Sequence, residues 1–404
     1  MADKKDDRTI WSWALYDFAN TIFSMNIISR YFPLWVTKTH DAPDLYLSVA
    51  ISFSMLMVAV SIPVLGAVSD QTGMRIRPLI ILTLACATFT AMIGAASSLV
   101  IGLILFALAN YCYQSALVFY DGMLPDVSRG TTVARVAGLS VSLGYLGAIV
   151  GLVMMMPVAA RFGVEAIYLP TGVLFVLFSI PCFVLVKDAR VTKSPKEDVG
   201  AAFRRIGQTF RELKKHRNLF MFMIANIFIL DGVNTVITFM SVYANQVIGF
   251  EGAWLDIFLL TSIVGAAFGA LMWGRITNRI GAHKALQYVC AMWLCVFVFA
   301  AMVTSKALFW VVGPMAGIAL GGVWVAGRTL LIDLAPPERV GEFFGFYYMA
   351  GKFSAIMGPM VWGIIVYALA PLGGTLKHRV AVLSMAVFIA AGWWMLLKVK
   401  TGDR

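Results

Sequence analysis

The sequence predicts an all-α membrane protein of twelve transmembrane helices in two pseudo-symmetric six-helix bundles, and three observations predict it. Twelve apolar stretches are each long enough to cross a bilayer, which takes about 20 residues of helix. Only 13% of the residues are charged and 60% are hydrophobic, whereas soluble domains carry about 25% charged residues. An octet of mixed polarity, Asp17-Phe-Ala-Asn20-Thr21-Ile-Phe-Ser24, returns 214 positions later as Asp231-Gly-Val-Asn234-Thr235-Val-Ile-Thr238.

The apolar stretches run roughly over 11–36, 45–69, 78–97, 99–121, 133–159, 166–187, 218–247, 253–276, 283–304, 307–332, 340–369 and 378–398. Most connections are short. The one long polar segment, 188–217, divides the chain into an N-terminal bundle (1–187) and a C-terminal bundle (218–404). Within it Phe203, Ile206, Phe210 and Leu213 recur at helical spacing among Arg204, Arg205, Arg211, Lys214 and Lys215, the pattern of an amphipathic helix lying on a membrane surface. Met1 to Arg8 is too short and charged a head, and the run after it too long and polar, for a cleavable signal. The first span is therefore expected to remain.

Orientation follows from the basic residues. With both termini inside, 25 of the 32 Lys and Arg collect on the cytoplasmic side. The formal charge of +11 thus answers to topology and anionic lipid headgroups, not to nucleic acid. The loops are short and carry no N-x-S/T acceptor, which suits a bacterial inner membrane. Cys86, Cys112, Cys182, Cys290 and Cys295 lie in separate apolar stretches, and His40, His216, His283 and His378 flank the spans. Neither set has metal-ligand spacing, so no metal or other cofactor is expected. The chain has no phosphate-cradling glycine-lysine loop and no HExxH. Its longest polar segment of about 30 residues is too short for a catalytic domain. An enzyme is not expected.

On a helix, the polar members of each octet fall at i, i+3, i+4 and i+7 and form one stripe. Such groups in hydrocarbon face a bundle interior or a water-filled path. Two stripes half a chain apart imply a duplicated transporter bundle with its site between repeats. The duplication reappears in Gly66-Ala-Val-Ser-Asp70-Gln-Thr-Gly73-Met-Arg75-Ile-Arg77 after span two and Gly274-Arg-Ile-Thr-Asn278-Arg279-Ile-Gly281 after span eight. It appears again in Gly138/Gly144 and Gly345/Gly351, offset by 207. The glycines permit close helix approach and a tight turn, Asp70 suits a helix N-terminus, and the arginines anchor at the interface.

The loop from Gly66 to Arg77 resembles the signature loop of the major facilitator superfamily. Several further segments are similar to one branch of it, the vacuole-effluxer-like family. They are Trp13-Ala-Leu-Tyr-Asp17-Phe-Ala-Asn20, Phe119-Tyr-Asp121-Gly122-Met-Leu-Pro125-Asp126, Arg328-Thr-Leu-Leu-Ile-Asp333-Leu-Ala-Pro336, Glu342-Phe-Phe-Gly-Phe-Tyr347, and Gly351-Lys352 through Gly358-Pro359. Asp121 and Gly122 depart from that pattern, standing where Asn and Ala are expected. That family includes yeast vacuolar amino-acid exporters and many bacterial relatives. The resemblance implies the major facilitator fold, alternating access and transport of a small solute.

Residue depth selects the candidate site. Asp231 and Lys352 fall near mid-span, where they either meet the two charged ends of a zwitterion, such as an amino acid or short peptide, or pair with each other. Asn20, Asn234, Gln114, Tyr145, Tyr347 and Tyr348, with Trp35 and Tyr113, are placed to shape a cavity. Asp17 or Asp231 is the candidate for a coupling proton, because a carboxylate withdrawn from water favours its neutral form. Asp17 has the shorter apolar flank, so its depth stays open. Gly66, Asp70, Gly73, Arg75, Arg77, Asp126, Arg328 and Glu342 are the candidate gate residues, a solvated charged rim being the plainer reading. The expected partners are a small solute, a proton or other coupling ion, and the bilayer around a monomer. Another metabolite, a drug or a lipid on the same fold is the alternative cargo.

Overall fold

The computed structural model describes residues 2–72, 74–128, 133–188, 211, 213–336 and 340–400. The amphipathic helix expected over 203–213 lies almost wholly outside them, as do Gly73, Arg129, Glu338 and Arg339. Eleven helices are long and apolar enough to cross a membrane. They are α2 (Asp44–Thr72), α3 (Ile76–Ile93), α4 (Leu99–Gly122), α5 (Val133–Phe162), α6 (Tyr168–Leu185), α7 (Arg217–Gln246), α8 (Gly252–Ile280), α9 (Ala282–Met302), α10 (Val312–Leu334), α11 (Val340–Ala368) and α12 (Leu376–Leu397). The twelfth, α1, is a helical path over 2–39 of mixed type. It is α-helical over Ala2–Phe23, π-helical over Ser24–Tyr31, α-helical over Phe32–Leu34 and π-helical over Trp35–Thr39.

Local chemistry sets several ends. Ser98 caps α4, its hydroxyl accepting from the Ile101 amide at 3.3 Å. Gly281, at φ 84°, turns the chain between α8 and α9, a left-handed conformation that suits glycine. Inside α11 Pro359 has no N–H to donate and its ring crowds the carbonyl four residues back. That residue, Ala355, has left helical geometry at φ −94°, ψ 18°, and α11 is kinked there.

The chain forms two units, 1–35 with 53–208, and 36–52 with 209–404. In the first, α1 packs on α5 and α6, and α3 on α4 and α6. The second repeats the plan: α7 packs on α11 and α12, and α9 on α10 and α12. Residues 36–52 join the second unit through specific contacts. Asp44, 2% exposed, accepts from Trp362 Nε1 at 2.8 Å and lies 3.5 Å from His378 Nε2. Ser52 Oγ donates to the Ile356 carbonyl at 2.8 Å. Lys38 bonds Glu251 at 2.5 Å and holds that exposed carboxyl below its usual range. His378, in the first turn of α12, is buried.

Large apolar side chains such as Ile81, Leu169, Leu271 and Val387 are exposed on the outer faces of the helices, as befits a surface bathed in lipid. With lipid outside, helices gain little from hiding apolar area and associate through close packing and hydrogen bonds. Glycine makes the approach possible. A Cβ on Gly147 of α5 would overlap the Phe18 carbonyl of α1, and one on Gly151 would stand 3.1 Å from Ile22 Cα. Gly138 on the same helix has open space around it. Gly147→Ala is therefore expected to destabilise the protein by about 1–3 kcal/mol through overpacking. Gly138→Ala should be neutral or stabilising by up to about 1 kcal/mol through helix propensity. Thermal unfolding in detergent compares the two, and equal effects would refute the crossing as drawn.

Candidate functional site

In the first unit the polar stripe of α1 closes on itself and on α5. Asn20 Nδ2 donates to Asp17 Oδ1 at 3.0 Å, and Ser140 Oγ donates to Asp17 Oδ2 at 2.9 Å. Ser140 in turn lies 2.7 Å from the Tyr120 hydroxyl of α4. Thr21 Oγ1 bonds back to the Asp17 carbonyl at 2.7 Å. The Tyr120 ring stacks on Trp13 at 4.4 Å between centroids, and Trp13 Nε1 donates to the Tyr120 carbonyl. Asp17 is thus held by three helices, and Gly144 leaves room for it: a Cβ there would stand 3.2 Å from Asp17 Oδ2.

The second unit builds a different site from the same octet. Asp231 lies midway along α7 and is 2% exposed. Its Oδ1 accepts the Gly358 amide at 2.8 Å, just beyond the break in α11. A carboxylate of one helix therefore caps the restarted half of another, where exposed amides and the helix dipole favour negative charge. Gly358 has no space for a side chain, since a Cβ would overlap Thr235 Oγ1 and stand 2.6 Å from Asp231 Oδ1. Asn234 Nδ2 reaches Ser354 Oγ at 3.4 Å, on the near side of the kink. The α7 stripe thus brackets the break from both sides. Among the described residues the partner of the Asp231 carboxylate is this amide and not Lys352, which is half-buried further back on α11.

The two octets meet their partner helices at different registers. Asp17 lies beside Gly144, and Asp231 beside Gly358, which corresponds to Gly151 in the frame of the 207-residue repeat. The difference is seven residues, two turns, or about 10 Å along the helix. Each carboxylate therefore meets its partner helix at its own register.

The other candidates fall as follows. Tyr347 is buried, with its hydroxyl 2.8 Å from where a Cβ on Gly327 would lie. Gln114 and Tyr145 are half-buried on α4 and α5. Trp35 is seated on Gly102, and Tyr113 lies against Phe23 at 4.8 Å between ring centroids and hydrogen-bonds Ser24 of the α1 stripe. Of the gate residues, Arg75 Nη1 bonds Asp126 Oδ2 at 2.7 Å, so the first signature loop is tied to the end of α4. Asp188 accepts the Arg75 and Ile76 amides at 2.8 and 2.9 Å and caps α3. Arg77 is exposed, and Arg328 stacks over Trp324 at 5.6 Å. Gly66, Asp70, Glu342 and Tyr348 stand on helices whose side chains there are outside those described. Sequence reasoning missed Ser140, Tyr120, Ser354 and Asp188. For Gly358 the signal was present, a Gly-Pro pair inside an apolar run.

Two polar helices at equivalent places in repeated six-helix bundles define a transporter of the major facilitator type. The structure superposes on the nucleoside transporter NupG with a TM-score of 0.76 at 13% identity, covering 97% of this chain and 100% of that one. The family described as vacuole effluxer Atg22 like matches residues 35–402, and the chain belongs to it. The MFS-type transporter YxiO of Bacillus subtilis is 27% identical over 401 residues, 94% of this chain and 92% of its own. Autophagy-related protein 22-1 of Emericella nidulans is 21% identical over 298 residues, 62% of this chain and 50% of its own.

The cap predicts an order of stabilities. Asp231→Asn keeps an oxygen for the Gly358 amide and should melt close to the parent. Asp231→Ala leaves a buried amide without an acceptor and should lose about 1–3 kcal/mol. Gly358→Ala should lose at least as much by displacing the carboxylate. Equal melting of Asp231→Ala and the parent would mean that the cap contributes nothing.

Proposed function

We propose that this chain is a secondary active transporter of a small polar zwitterion, an amino acid or short peptide, and that Asp231 carries the coupling proton. The observation that carries the reading is the Asp231–Gly358 contact at the break of α11. A charged carboxylate suits the amide end of the restarted helix. A protonated one holds it less strongly, so loading a proton loosens the two halves of α11 from each other. Lys352, one turn before the kink, is placed to meet the carboxylate of the solute. Asn20, Asn234, Gln114, Tyr145, Tyr347 and Tyr348 supply shape and hydrogen bonds, and Asp17 is the second candidate for the proton. Arg75–Asp126, with Asp70, Arg77, Arg328 and Glu342, forms the gate set.

The distribution of Lys and Arg favours both termini in the cytoplasm, and the short loops without an N-x-S/T acceptor suit a bacterial inner membrane. Export is the direction favoured by the vacuole-effluxer family. The transporter works as a monomer without a metal or cofactor, and it catalyses no covalent chemistry.

Reconstituted protein tests this with a panel of amino acids, dipeptides, nucleosides and sugars under an imposed pH gradient. Zwitterions are expected to move, with gradient-driven accumulation lost in Asp231→Asn while exchange at equal pH survives. Accumulation that persists in Asp231→Asn would remove the proton from Asp231. Movement confined to nucleosides or sugars would overturn the substrate class.

A further inference from the structure

The two signature loops end differently. Where the first copy has Ala67, Asp70 and Gln71, the second has Arg275, Asn278 and Arg279. The second copy loses one carboxylate and gains two guanidiniums. In the first copy the loop arginine, Arg75, is neutralised by Asp126 at 2.7 Å. Arg275 and Arg279 are exposed, and among the described residues neither has an acidic partner.

The arginines are not on an ordinary wet surface. Phe268, Met272, Arg275, Ile276 and Arg279 share one face of α8 and line a shallow groove of about 270 Å³. Phe268 is 59% exposed on it. Trp273 and Thr277, on the opposite face, are buried. The groove therefore runs from apolar side chains in the span to two guanidiniums one helical turn apart in its last turns. Such a pair fits a phosphate by bidentate hydrogen bonds, and the apolar length behind it fits a hydrocarbon chain. A soluble anion would use the arginines and leave Phe268 and Met272 uncovered.

We propose that this face of α8 is a binding site for one anionic phospholipid, with the phosphate between Arg275 and Arg279 and an acyl chain along Phe268, Met272 and Ile276. The site does not depend on which solute is carried. Near an anionic surface each basic residue contributes about fivefold to binding, so two contribute about twenty-five-fold.

The test uses the full-length protein, delipidated in neutral detergent, with its melting followed as phosphatidylglycerol, phosphatidylcholine or sodium phosphate is titrated. Phosphatidylglycerol should raise the melting temperature and half-saturate at a mole fraction about twenty-five-fold lower for the parent than for the Arg275→Gln/Arg279→Gln variant. Both arginines are exposed, so that variant should melt like the parent without lipid. Arg275→Lys/Arg279→Lys keeps both charges without the planar forks, so it should restore part of the response, and it controls for folding. An equal response to phosphatidylcholine, an unchanged response in the Gln variant, or stabilisation by sodium phosphate alone would each overturn the proposal.

Discussion

In hydrocarbon a helix gains nothing by covering apolar surface, so the approach of α1 to α5 and of α7 to α11 must rest on packing distance and on polar groups finding partners. Glycine sets the distance. Gly144, Gly147 and Gly151 bring the backbone of α5 against α1, and Gly358 does the same for α11 against α7. The polar stripes of α1 and α7 are tolerable because the partner helix arrives close enough to satisfy them. Asp17 meets a serine hydroxyl there and Asp231 a main-chain amide. Were the crossings wider, Asp17 would keep Asn20 of its own helix but lose Ser140, and Asp231 would lose the Gly358 amide.

From that constraint the two units diverge in kind. The first satisfies its carboxylate with side chains, through Asn20, Ser140 and Tyr120, and its α5 keeps helical hydrogen bonding past the contact. The second satisfies it with backbone that has been freed by a proline. A side-chain network can rotate without disturbing the helix that bears it. A backbone cap cannot, and any change at Asp231 is felt by α11 as a whole. The repeat has thus produced one carboxylate held by side chains and one held by backbone, from two octets that share their Asp, Asn and Thr.

Much of this was legible beforehand. Twelve spans were readable from hydropathy, and eleven of them reappear as apolar helices whose ends lie within a few residues of those expected. The first span escaped the apolar criterion because a charged head, a polar stripe and π-helical turns interrupt it. The stripe residues were legible because buried polarity in an apolar run is conspicuous. Their partners were less so: Ser140 is an ordinary residue made important by register, whereas Gly358 carried a signal in its Gly-Pro pair. The burial of His378 was not legible, because it depends on Asp44, far away in sequence.

The cap on α11 also makes the protein a spectroscopic object. Backbone amides in membrane helices mostly bond to carbonyls, whose basicity barely changes with conditions. The Gly358 amide bonds instead to an ionisable oxygen midway through the span. Its proton resonance and its exchange with deuterium are therefore tied to the charge on a single buried side chain. A selectively labelled glycine at that position would read the occupancy of the carboxylate directly, with no probe added and no substrate known.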